Sequence, residues 1–98
     1  MSTLQQCQAY GVSEAVCREA IEKARQIALR AAPKTATSFQ CESVYSDCFQ
    51  TPSGEFTPEP SFCLKLSDKG APIASEVRYL EITPDRMNRR KAREVRID

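Results

Sequence analysis

The chain has 98 residues and no histidine. That removes the commonest general base and the usual partner of a nucleophilic Ser or Cys. Carboxylates and lysines remain, but no pair of them stands in a patterned setting and no phosphate-binding loop is present, so the expectation is a protein that is not an enzyme and carries no cofactor. Long hydrophobic runs are also missing. Nothing approaches the roughly 18 apolar residues of a membrane span. No Lys or Arg precedes Arg18 and no continuous apolar segment opens the chain, so neither a signal peptide nor an anchor is read, and no membrane partner is expected. The five cysteines, Cys7, Cys17, Cys41, Cys48 and Cys63, include no C-x-x-C knuckle. Without His to complete a mixed site, no metal site is expected. An odd number of cysteines with no secretory signal points to a reduced, cytoplasmic chain in which Cys17 and Cys41 act as small buried hydrophobes. One disulfide within the group Cys41, Cys48 and Cys63 is the alternative.

What is present organises around residues 13–32. No Gly or Pro interrupts them before Pro33, and Ala, Glu, Arg, Lys and Leu fill most positions, a favourable helix composition. Cys17, Ala20, Ile21, Ala24, Ile27, Ala28 and Ala31 recur at spacings of three and four, forming a narrow apolar stripe. The stripe is rich in Ala, so Val16, Ile21, Ile27 and Leu29 are expected to carry most of the burial. Ser13 is placed to cap the first turn and Pro33 to stop the last.

Beyond Pro33, residues 35–46 alternate and read as a strand with Phe39, Cys41 and Tyr45 on one face. Short extended pieces flank a turn at Pro52, Ser53 and Gly54, and Pro58 and Pro60 confine that region to an edge strand or loop. Residues 61–67 form the cleanest strand, with Phe62, Leu64 and Leu66 inward. Residues 75–82 form another, in which the alternation slips between Val77/Tyr79 and Leu80/Ile82, as a bulge would make it. Thr83, Pro84 and Asp85 read as a helix start. The resulting expectation is a single small α+β domain over residues 1–98. One long N-terminal helix packs on a three- to four-stranded antiparallel meander, and residues 84–98 form a short basic C-terminal helix or tail.

Residues 3–22 resemble the helix-turn-helix spacing of DNA-binding repressors. Cys7 falls at the small buried position of the first helix, Gly11 in the turn, and Cys17 and Ala20 at the inward positions of the second. The resemblance implies a DNA-binding regulator that would use residues 3–22 with the basic tail. Glu14, Glu19 and Glu22 against Arg18 present the wrong sign to phosphate, so this is the second reading.

The leading reading comes from charge. Residues 1–39 carry five basic and three acidic groups, residues 40–82 three and seven, and residues 83–98 six and three, giving +2, −4 and +3 for a total of +1. In a helix Arg86, Arg89, Arg90, Arg93 and Arg96 would largely share a face. With Lys91 they form the candidate partner-binding set, rich in the residue suited to bidentate contact with carboxylate or phosphate. The sequence thus predicts a small intracellular binding or inhibitor-type protein, of the accessory kind carried by phage and mobile elements. Its charged surface would dock on a protein or nucleoprotein, with nucleic acid reached through the basic tail. Oligomeric state is not read from the sequence.

Overall fold

The structure, a computed structural model, describes residues 1, 3–84 and 90–98. Three helices come first among them: α1 (Leu4–Ala9), α2 (Glu14–Ala31) and α3 (Ser38–Tyr45). The long helix is therefore the second element and not the N-terminal one. Each helix starts on a hydroxyl that accepts an otherwise orphaned backbone N–H: Thr3 from Gln6, Ser13 from Val16, and Thr37 from Gln40. Gly11 supplies the left-handed turn between α1 and α2 with φ of 81°, and a Cys7–Cys17 disulfide ties the two helices together.

Residues 35–46 are mostly helical, in place of the expected strand. The spacing from Cys41 to Tyr45 suits a helix face as well as a strand face, and Thr37 supplies the cap that decides between them. Cys41 is fully buried and bonded to Cys48, and the Tyr45 ring meets Tyr79 edge-on with centroids 5.5 Å apart. Phe39, placed with Cys41 by the strand reading, instead faces solvent at 80% exposure. Four of the five cysteines are thus paired and Cys63 is the free one, which replaces the expected set of reduced, hydrophobe-like thiols.

Five strands follow in two antiparallel sheets: a hairpin of β1 (Cys48–Gln50) and β2 (Phe56–Pro58), and a meander of β3 (Ser61–Leu66), β4 (Pro72–Pro84) and β5 (Arg90–Arg96). The slip in alternation read between Val77/Tyr79 and Leu80/Ile82 is not a bulge, since the β4–β5 register runs unbroken there and Leu80 simply lies on the outer face; the irregularity comes earlier in β4. The β3–β4 register shifts between Ser61 and Cys63, and Glu76 takes a positive φ of 50°. The C-terminal segment pairs with β4 as a strand, from Arg78 with Arg96 to Pro84 with Arg90, so the expected basic helix is absent. Val95 and Ile97 explain the outcome, because both pack against the core. Two residues apart on a helix they would lie on nearly opposite sides, whereas a strand turns both inward.

The core is the meander's inner face with α2 laid across it. Ala20 and Ala24 lie fully buried with Phe62 and Val77, and Ala28 and Ala32 lie beside Tyr79. Ile21 and Ile27, expected to carry the burial, are only half-buried at the flanks. Small residues let the helix come close to the strands, and Phe62 from β3 fills the space they leave. Polar ties hold the periphery. Thr57, fully buried, donates its hydroxyl to the Pro33 carbonyl at 2.9 Å. Arg25 grips Glu59 through two hydrogen bonds of 2.9 and 3.1 Å while its guanidinium lies 5.0 Å from the centre of the Phe49 ring.

Two outcomes check this arrangement. Phe62→Ala should cost about 3–5 kcal/mol in urea unfolding, since it empties the space between the alanine stripe and the sheet. Iodoacetamide under denaturing, non-reducing conditions should add one carbamidomethyl group, at Cys63, and five after reduction. Closing such short loops is worth about 2–3 kcal/mol each, so reduction should also lower the unfolding midpoint.

Candidate binding surface on the basic ribbon

The central strand β4 is longer than either neighbour, and the two neighbours use different halves of it. β3 pairs with it from Pro72 to Arg78, and β5 pairs with it from Arg78 to Pro84. Past Arg78 the sheet is therefore a two-stranded ribbon with β5 on its outer side. The helices cover the start of this ribbon, where Tyr79 and Val95 pack against Ala28, Ala32 and Tyr45. Farther out the cover ends, and Lys91, Ala92, Arg93 and Glu94 are all exposed.

Strand geometry distributes the expected site residues differently from a helix. Lys91 and Arg93 share a side with Val95, the side that carries the helices, whereas Arg96 lies on the opposite side with Ala92 and Glu94. The backbone of Arg90 pairs with that of Pro84. Arg86 and Arg89 lie outside the described residues. The surface is thus a charged strip running along the strand and not the single broad face that helical spacing suggested. With the sequence RKAREVR, β5 carries four basic residues and one acidic.

Part of this charge is matched within the ribbon. Arg93 lies 3.4 Å from Glu81 directly across the pair, and Arg96 lies 3.2 Å from Asp98. Such exposed pairs are worth little and exchange readily for other partners. Glu81, besides holding Arg93, lies close enough to Tyr45 and Tyr79 to add to the effect of their burial, and both phenols are pushed above their ordinary pKa. The rings thus stay neutral beside the strip.

Arg78 belongs to this surface although neither spacing nor charge pattern pointed to it. It sits at the bulge, on the sheet face away from the helices, with Cys63, Glu76, Glu94 and Arg96 around a shallow depression of about 400 Å³. Its hydrogen bond to Cys63 is the foremost influence raising the guanidinium above its ordinary pKa, and Glu94, 3.4 Å away, acts in the same direction. The slip in alternation read between Tyr79 and Leu80 did not mark it, since the bulge lies at Glu76, two residues before Arg78. A second depression, about 610 Å³, lies where Arg18, Glu22, Arg25 and Glu59 converge. Its arginines are matched, Arg18 by Glu14 and Arg25 by Glu59. Among the described residues no three His, Cys, Asp or Glu side chains lie together as a metal site would need. No described helix is long and apolar enough to cross a membrane.

Asp98 fixes the base of the ribbon by accepting the Val77 N–H at 3.0 Å and facing Arg96. Burial alone would raise its pKa, but the Val77 amide and Arg96 prevail and hold the carboxyl below its ordinary 3.8. A depressed carboxylate stabilises the fold above its unfolded-state pKa, and that contribution is lost as pH falls through the folded value. Asp98→Asn should therefore cost about 1 kcal/mol at pH 7 and almost nothing near about pH 2, measured by urea unfolding at the two pH values.

No curated protein and no solved structure matches the chain. A family model does, over residues 1–66, which takes in the three helices, the β1–β2 hairpin and β3 and stops before β4 and β5. The basic ribbon thus lies beyond the matched segment. Covering well over half of the sequence, that match places the chain in the family described as Protein of unknown function (DUF1190).

Proposed function

We propose that this protein is a non-enzymatic binding module, of the accessory or inhibitor kind, that docks on a partner protein through the basic β4–β5 ribbon. The observation that carries the reading is the extension of β5, with four basic residues and one acidic, past the helices that cover the meander near Val77 and Tyr79. A nucleoprotein partner fits the same charge. Two disulfides support residence in an oxidising compartment, in place of the cytoplasm suggested by an odd cysteine count.

The second reading, a DNA-binding regulator built on residues 3–22, draws less support. The helix that would enter a groove buries Cys17, Ala20, Ala24 and Ala28 against its own domain, and its exposed side offers Glu14, Glu19 and Glu22. Its leading basic residue, Arg18, already bonds Glu14. Arg18→Ala should accordingly leave any duplex binding unchanged in a gel-shift titration at low salt.

The test of the leading reading is affinity capture from a native extract with the intact oxidised chain and with a Lys91→Ala, Arg93→Ala, Arg96→Ala variant. A partner held by the first and depleted at least tenfold on the second supports docking through the ribbon. Equal recovery by both removes the ribbon from the binding surface.

A further inference from the structure

β5 is the outermost strand of its sheet, and among the described residues only β4 pairs with it. The direction of its backbone groups follows from a single bond. Ile97 donates its N–H to the Val77 carbonyl at 2.9 Å. In an unshifted antiparallel ladder the inward-directed groups recur at every second residue, and the β4–β5 register runs unbroken from Arg78/Arg96 to Pro84/Arg90. The amides and carbonyls of Val95, Arg93 and Lys91 therefore point at β4. Those of Arg96, Glu94 and Ala92 point outward, leaving three consecutive donor–acceptor sets along an exposed edge.

An open edge of this kind is a template for another strand. Charge selects the occupant. Lys91, Arg93 and Arg96 are exposed along it, and the strand as a whole carries a net +3 from four basic residues and one acidic. A second copy would bring another +3 against it, whereas an acidic chain would meet Lys91 and Arg93 on one side of the strand and Arg96 on the other. The bond that holds Arg93 to Glu81, at 3.4 Å and exposed, is the weak sort that an incoming carboxylate displaces.

Building on the docking function proposed above, we infer that the free edge of β5 accepts an extended acidic segment of a partner protein as an added antiparallel or parallel strand, with main-chain bonds to Ala92, Glu94 and Arg96 and carboxylates reaching Lys91, Arg93 and Arg96. This is recognition by strand addition, in which backbone bonds give affinity and alternate side chains give selectivity. A nucleic acid has no amide edge to offer and would use only the charge.

The experiment is fluorescence anisotropy of the oxidised full chain with a fluorescein-labelled heptapeptide of alternating Glu and Thr. It is run beside the same peptide N-methylated at every residue, which keeps the charge and loses every amide donor. The chain is also tested as Ala92→Pro, which removes an outward N–H and leaves the β4 ladder its donors, with circular dichroism and the single free thiol checking its fold. The expected result is saturable binding of the plain peptide, at least tenfold weaker binding of the methylated one, and a similar loss with Ala92→Pro. Equal binding of both peptides overturns strand addition and leaves docking by charge standing. Absence of peptide binding, with either duplex DNA bound or a dimer found by sedimentation equilibrium, overturns it in favour of that occupant. Absence of all three overturns it outright. Peptide binding unaffected by Ala92→Pro overturns strand addition alone, whereas peptide binding unaffected by the Lys91, Arg93 and Arg96 alanine variant overturns both this inference and the ribbon reading beneath it.

Discussion

Close approach between the alanine face of α2 and the meander governs the rest of the molecule. Ala20, Ala24 and Ala28 are fully buried, yet each contributes little apolar area, and their role is to let Phe62 and Val77 pack up to the helix backbone. A stripe this narrow cannot cover a whole sheet. It covers the part near Val77 and Tyr79, and the polar fastenings secure the margins: Arg25 on Glu59, Lys23 on the Pro72 carbonyl, and Thr57 on the Pro33 carbonyl. Two disulfides then hold α1 to α2 and α3 to β1. A small core reinforced by crosslinks is the economical solution for a domain of this length.

The same limitation gives β5 its character. Because the helix layer stops near Tyr79 and Val95, Lys91 to Glu94 stand exposed on the β4–β5 ribbon, and its base is anchored through Val95, Ile97 and the Asp98 bond to Val77. Side chains there answer to solvent and to possible partners more than to the core. Strong basic charge on an edge has two physical effects that pull the same way: it discourages pairing with another copy and it favours pairing with an acidic chain.

Much of this was legible in the sequence, and the failures have specific causes. α2 declared itself through its composition and threefold–fourfold spacing, and the hairpin around Gly54 and the strand at Phe62 were signalled by turn residues and alternation, whereas the bulge near Glu76 lies away from the slip read between Tyr79 and Leu80. α3 was hidden because Cys41 and Tyr45 satisfy helix and strand spacing alike, and its aromatic and hydroxyl content favours strands. The final strand was hidden by Thr83 and Pro84, a good helix start on local grounds that sheet pairing overrode. Its deciding feature, Val95 and Ile97 both inward, needed knowledge of where the core lay. The Cys41–Cys48 disulfide falls within the group given as the alternative reading, whereas Cys7–Cys17 was hidden because its closure depends on α1 folding back on α2, which spacing alone does not carry. Of the candidate site, the sequence supplied the list of basic residues and not their arrangement. A helix would have gathered them on one face, whereas a strand divides them between two and adds Arg78.

Amide hydrogen exchange of the free oxidised chain, resolved residue by residue by NMR, tests the central claim most directly. A strand with an open outer edge predicts alternation: slow exchange at Lys91, Arg93, Val95 and Ile97, whose N–H groups meet β4, and fast exchange at Ala92, Glu94 and Arg96. Uninterrupted protection from residue 91 to residue 97 would contradict it, since it would mean a helix or an edge already occupied.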